Sequence, residues 1–329
     1  MASSNSQRLI GVDLGGTKLA VAALDGSELG EVHQVPTDLD SSDELIEQIA
    51  DAIEAAAGSG AAAVGIGVPS VIEFDTGRVK SSVNIPLRDV PLRELLRERL
   101  GVPVFVDNDA NCAALAEAHE GDRLVVSDLV MFTVGTGVGG GLVLGGRIYR
   151  GTTGAAAELG HLIVGLDLEE GAPAAAERFP QPGSLESLAA GRALDRLAAR
   201  AAEASPDSAL GRLAASGQKL TGRDAVEAAG AGDETARRAV RVLGERLGVG
   251  IANAINTFDP EVVAIGGGVS AAGDLLLEPA REVAARFTLP GVGERTEIRL
   301  SRYGPEAGLR GAALLAGQEL AAERSRGAS

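Results

Sequence analysis

The residues with the clearest chemical potential are Asp107, Asn108, Asp109 and Asn111, within Val106-Asp107-Asn108-Asp109-Ala110-Asn111. They follow the apolar run Val102-Pro103-Val104-Phe105 and precede a helical pattern over residues 113–120. A buried strand handing over to a helix is a costly place for polar groups unless a ligand or a cap uses them. Asp109 is the candidate general base. A helix N-terminus favours its carboxylate form, so orienting a hydroxyl would be a larger part of its role than basicity. The competing use of Asp107, Asn108 and Asp109 is to cap the helix.

A second group, Asp13-Leu14-Gly15-Gly16-Thr17-Lys18, sets a carboxylate at a strand end before a bare turn. Backbone N–H groups in such a turn form an anion-binding concavity, to which Thr17 adds a hydroxyl. Asp13 could hold a hydrated Mg²⁺ accompanying phosphates. Asp and Gly are also ordinary hairpin-turn residues. Residues 133–140 (TVGTGVGG) contain a formal G-x-G-x-x-G, but a strand follows where a dinucleotide fingerprint requires a helix. The stretch fits better as a second phosphate-facing turn around Thr136 and Gly137. No G-x-x-x-x-G-K-[ST] occurs, which excludes an ordinary P-loop. Gly266-Gly267-Gly268, between a strand and a helix, offers bare backbone to a nucleoside. Glu158 and His161 follow the small residues Gly154, Ala155, Ala156 and Ala157, which permit close approach of a polar ligand.

Alternation over 9–14 and 19–24 predicts a hairpin across that first turn, with a third strand at 31–35. Ser41 and Glu44 form a capping box before a helix with Leu45, Ile49 and Ile53 on one face. A buried strand at 63–68, an irregular hairpin over 69–84, a helix at 90–100 and a strand at 102–106 lead to Asp107. A strand at 128–134, a glycine turn at 135–141 and a strand at 142–144 repeat the first hairpin about 120 residues later. This reads as an internal duplication, one hairpin per domain, the two facing each other across a cleft. Beyond it the sequence predicts a loop over 165–183, helix over 184–215 and 221–229, and a long helix over 233–258. A strand at 261–265, a turn at 266–268, a helix at 274–287, a strand at 297–300 and a helix from about 308 close the chain, with a frayed tail at 324–329.

A chain of 329 residues is comfortable for two domains. A formal charge of −16 and 2% aromatic residues without Trp argue against nucleic-acid and anionic-membrane partners. The solitary Cys112 excludes an internal disulfide and any cysteine metal cage. Residues 1–7 lack the apolar core of a signal peptide, and no run approaches the roughly 18 apolar residues of a membrane helix. A soluble, cytoplasmic protein is the expectation.

In this order and spacing, several motifs resemble the ROK family (repressors, open reading frames and kinases), in particular its bacterial glucokinases. They are Asp13-Leu14-Gly15-Gly16-Thr17-Lys18, Asn108-Asp109-Ala110-Asn111, the glycine hairpin from Thr136 with Gly146-Arg147, Glu158-Leu159-Gly160-His161, and Val263-Ala264-Ile265-Gly266-Gly267-Gly268-Val269. The resemblance covers residues 9–320. It implies an α/β, two-domain actin-like ATPase (ribonuclease H-like) fold, with ATP and sugar in an interdomain cleft. The domains would be 8–120, joined by a C-terminal helix at 305–323, and 121–304. The implied reaction is transfer of the ATP γ-phosphoryl group to a hexose 6-hydroxyl, with glucose first. Mannose, fructose, allose or an N-acetylhexosamine (N-acetylmannosamine among them) are alternative acceptors, and polyphosphate is an alternative donor.

Matched by motif, Asp109 would be the base, while Asn84, Asn108, Asp109, Glu158, His161 and Glu186 would bind sugar. Asp13, Gly15, Gly16, Thr17, Lys18, Thr136 and Gly137 would hold phosphates and Mg²⁺, and Gly267 and Gly268 would face the nucleoside. The family also implies a homo-oligomer, a dimer or tetramer. Its repressors carry an N-terminal helix-turn-helix; with eight residues before the first strand and an acidic charge, DNA binding is not the expectation here. A sensor that kept the fold without catalysis is a third reading, against which Asp13, Asp109 and both turns speak. Many members carry a Cys-x-Cys-Gly-x-x-Gly-Cys zinc segment after the histidine. Here residues 165–186 have no cysteine, and Ser184 stands at the last thiolate's place. No structural zinc is expected, so another contact must orient His161. Ser70 also stands where the family commonly has glycine.

Overall fold

The computed structural model describes residues 7–327 except Ser59 and Val83. The readings of residues 1–6 and 328–329 therefore lie outside the described residues. The first hairpin forms as expected: Arg8–Leu14 pairs antiparallel with Lys18–Asp25, and His33–Pro36 adds to the outer strand. Ala63–Val68 pairs parallel with Arg8–Leu14, and Val104–Asn108 parallel with Ala63–Val68. Every residue of Ala63–Val68 is buried, the run expected of a parallel strand covered on both faces.

Across this sheet the order is Glu28–Leu29, Lys18–Asp25, Arg8–Leu14, Ala63–Val68, Val104–Asn108. A second sheet runs Arg147–Ile148, Val138–Leu144, Leu129–Val134, Val262–Gly266, Glu297–Leu300. Hairpin return, hairpin entry and two further strands occupy the same places in both, which is the mark of the duplication.

Several boundaries move. The second turn is shorter than expected: Gly139, Gly140 and Gly141 are in Val138–Leu144, because residues without side chains can still complete a ladder of backbone hydrogen bonds. The continuous helix expected over 184–215 is three: Leu185–Ala189, Gly191–Ala204 and Ala209–Ala215. It breaks where Ala190 is extended and where Ser208 caps anew. The helix after the polar motif is Asp109–Glu117, beginning four residues before the apolar pattern because Asn108 starts it. Gly266 ends a strand and only Gly267 turns. The final helix, Ala307–Gly327, runs through most of the expected frayed tail.

Packing divides the chain into two compact units, one of residues up to 129, 141–157 and from 302 on, the other of 130–140 and 158–301. Residues 121–129 and 141–157, expected in the second domain, thus pack with the first unit. Within the first unit Ala307–Gly327 lies on Arg8–Leu14 and Ala63–Val68 at backbone contact; a side chain at Gly11 or Gly65 would overlap the carbonyls of Leu309 or Ala312. The same helix packs against Asp109–Glu117, with Gly311 on the Cys112 carbonyl. Asp109–Glu117 is buried from Ala110 to Glu117, with its two buried polar side chains, Asn111 and Glu117, hydrogen-bonded. Among the described residues, no helix is long and apolar enough to cross a membrane.

Candidate active site

In the first unit the opening motif divides into three roles. Asn108 is the N-cap: its Oδ1 accepts from the backbone N–H groups of Ala110 (2.9 Å) and Asn111 (3.2 Å). Its Nδ2 donates to the Ser70 carbonyl at 3.3 Å, so the sugar role expected of Asn108 competes with contacts already made. Asp107 is structural. Its Oδ1 accepts from the N–H of Asn108 (2.7 Å) and from Asn111 Nδ2 (2.9 Å), and its Oδ2 pairs with Arg150 Nε at 2.6 Å. The Arg150 guanidinium stacks 3.4 Å from the Phe74 ring centroid and reaches Glu319, which also pairs with Arg147. Asp109 occupies the first helical position, where the helix dipole favours an anion, and its Oδ1 accepts from Ala110 N at 2.9 Å. Its Cα sits over Gly67, where a side chain would crowd it.

Asp13 lies close enough to feel this charge. Burial first, and then the Asp109 carboxylate, push its carboxyl up to about 6, against the opposing pull of Lys18. Oxygens of two neighbouring carboxylates are the hard donors that a divalent cation takes. Beside Asp13, Gly15 N–H closes the turn on the Lys18 carbonyl at 2.9 Å, while Thr17 and Lys18 are exposed. Thr37 braces this turn, its hydroxyl donating to the Gly15 carbonyl (2.7 Å) and its N–H to that of Thr17 (3.2 Å). Gly16 lies against Asn84, whose Cβ leaves no room for another at Gly16.

The second unit holds the other candidates. Gly135 N–H donates to the Gly137 carbonyl at 2.9 Å, and Val138 N–H to Glu186 Oε2 at 2.8 Å. Gly267 has φ 86° and lies on the Val134 backbone, a position closed to any side chain. Gly135, Thr136, Gly268 and Val269 open onto a cavity of about 730 Å³, a size suited to a small-molecule ligand. Arg192, Asp195, Thr221, Arg223 and Glu227 also line it. Glu158 and His161 are neighbours on one short turn, with Glu158 Oε2 at 3.8 Å from His161 Nε2. The Phe179 and His161 rings meet in a T-shaped contact, at 5.2 Å between centroids and 83° between planes.

Zinc does not fit this corner. Ser184 is fully buried and its hydroxyl oxygen caps Leu185–Ala189 by accepting from Ser187 N–H. Among the described residues, the single converging group of three His, Cys, Asp or Glu is Asp38, Asp40 and Glu44, at the start of the helix Ser42–Ala57.

Sequence reasoning missed Thr37, Arg150, Glu319, Phe179 and the cavity wall from Arg192 to Glu227. None sits in a short motif. A polar Thr37 beside a strand end and an arginine following a glycine hairpin are the only signals the chain carries for them.

The profile described as "ROK family" matches residues 9–319. A glucokinase of Halalkalibacterium halodurans is 37% identical over 318 residues, covering 94% of this chain and 95% of that one. Among solved structures, a ROK family glucokinase from Streptomyces griseus in complex with glucose and AMPPNP is 35% identical with a TM-score of 0.76, covering 94% of this chain and 99% of that one. A ROK hexokinase from Thermus thermophilus is 37% identical with a TM-score of 0.75, covering 96% and 99%.

Proposed function

The chain belongs to the ROK family and has its actin-like α/β fold, and from that premise we propose an ATP-dependent hexose kinase that converts glucose to glucose 6-phosphate. The observation that carries the chemistry is Asp109 at the first position of its helix, beside Asp13 and the bare Gly15–Lys18 turn. Phosphoryl transfer requires positioning and charge stabilisation more than covalent help. The N–H groups at Gly16 and Thr136, with the Thr17 hydroxyl and Lys18, supply donors for phosphate oxygens, on a turn that the Gly15 N–H closes. Asp13 would hold the Mg²⁺ that accompanies ATP and neutralises charge on its phosphates. Asp109 orients the sugar 6-hydroxyl. A bond forms between O6 and the γ-phosphorus as the bond to the ADP oxygen breaks, and the hydroxyl proton passes late to Asp109.

Glu158, His161 and Glu186 offer acceptors and a ring nitrogen for the remaining sugar hydroxyls, with Asn84 and the Nδ2 of Asn108 as further donors. Gly267 and Gly268 leave bare backbone for the nucleoside. With 2% aromatic residues, hydrogen bonds rather than ring stacking grip the sugar.

ADP release from Mg–ATP across glucose, mannose, fructose, allose and N-acetylhexosamines, with polyphosphate as a second donor, tests the reading. Glucose should give the highest kcat/KM, and Asp109→Asn should lower kcat by about 10²–10⁴-fold. Full activity in that variant removes Asp109 as the base; no ADP with any sugar removes the kinase.

A further inference from the structure

We propose that Glu186 is a positioning residue for the Gly135–Gly137 turn, so that one carboxylate serves the sugar side and the phosphate side of the second unit. The inference rests on the nucleotide reading of that turn and adds a role for Glu186 beyond sugar contact. Three observations carry it. First, Glu186 Oε2 accepts the N–H of Val138, the residue that leaves the turn, at 2.8 Å. Second, Gly137 has no side chain where a Cβ would overlap the Glu186 carboxylate, so the glycine admits this contact. Third, the turn is held again five residues later, where Gly191 N–H donates to the Gly135 carbonyl at 2.8 Å and a side chain at Gly191 would strike that carbonyl.

The segment from Ser184 to Gly191 is therefore a strap over the turn, fastened at both of its ends. Its start is also tied to the chain that follows His161. Leu185 N–H donates to the Leu162 carbonyl at 2.8 Å, and Val164 N–H to that of Gly183 at 2.8 Å. Gly160 packs on the Val138 carbonyl, leaving no room for a side chain. Val138 is thus gripped between the loop that bears His161 and the carboxylate of Glu186. The turn itself walls the 730 Å³ cavity through Gly135 and Thr136. Moving the carboxylate moves the turn, and with it the donors proposed for phosphate.

A side chain that only binds sugar would leave nucleotide affinity untouched when sugar is absent. Titration of Mg–ADP into the sugar-free protein by calorimetry separates the two. Glu186→Ala should weaken Mg–ADP about tenfold. Glu186→Gln keeps an oxygen that accepts the Val138 N–H and should restore most of that affinity. In turnover assays both variants should raise the KM for sugar, because Gln lacks the carboxylate's charge. His161→Gln should raise only the KM for sugar. Glu186→Asp, whose shorter side chain draws the oxygen away from the Val138 N–H while keeping the charge, should weaken Mg–ADP as Glu186→Ala does and covers the case in which that variant fails to fold. Wild-type Mg–ADP affinity in Glu186→Ala or Glu186→Asp, with the parent enzyme turning over hexose, overturns the positioning role alone. Loss of Mg–ADP affinity in both, restored in Glu186→Gln, with a parent that phosphorylates no hexose, sustains it and removes the hexose kinase.

Discussion

At the scale of single residues, Asp13 illustrates how burial and charge set a working range. Its ordinary value is 3.8, and burial with the neighbouring Asp109 charge raises it to about 6. The folded chain therefore holds this proton more tightly than the unfolded one. That contribution to stability is complete below pH 3.8 and is lost as pH rises through 6. Cation binding runs the other way, since it needs the carboxylate. Mg–ADP affinity should fall several-fold from pH 7.5 to 5.5, and Asp13→Asn should weaken binding at both and flatten the dependence; titration calorimetry at the two pH values checks this. Asp109 differs in kind. Its place at a helix start was legible from the sequence because a polar cluster at a strand end is rare without a use. Asn108 and Asp107 were equally conspicuous, and only their partners separated them: two N–H groups for the cap, an arginine for the buried acid.

Among elements, the helix Asp109–Glu117 is held at both ends by buried carboxylates. Asp107 and Arg150 fasten its start, while Glu117, fully buried, accepts from the N–H groups of Arg302 (2.8 Å) and Tyr303 (3.1 Å) at its end. Breaking a buried pair leaves one charge without its partner, which costs about 3–5 kcal/mol. Arg150→Met should lower the melting temperature by several degrees and reduce kcat through the displaced Asp109. Adding Asp107→Asn should recover much of the stability, because the orphaned charge is then gone. Thermal denaturation of the two single variants and the double variant checks it, and additive losses would contradict the pairing. The hairpins, the long helix Glu234–Phe258 and the short helix Gly222–Gly230 were readable from alternation and period, which are local properties. The break at Ala190 was not. An alanine-rich stretch favours helix throughout, and the extended residue is imposed by the hydrogen bond of Gly191 to the turn.

For the whole molecule, the family relationship carries an expectation of a dimer or tetramer. Exposed apolar side chains at Phe287 and Leu289 are consistent with association. Sedimentation equilibrium should give a mass at least twice the 33.3 kDa of one chain; a single-chain mass at micromolar concentration contradicts it. The sequence by itself determined the duplicated hairpins, the glycine turns, the acid at the helix start and the missing zinc ligands. These depend on residue type and spacing over a dozen positions or fewer. Tertiary structure alone decided that Arg150 and Glu319 stand behind Asp107, that Thr37 braces the first turn, that Phe179 meets His161, and that Glu186 holds the second turn. Thr37 and Phe179 lie about twenty residues from their partners, and the other contacts join residues 43 to 172 positions apart. No local pattern encodes such pairs, because their energy exists only once packing has brought the two surfaces together and removed the water between them.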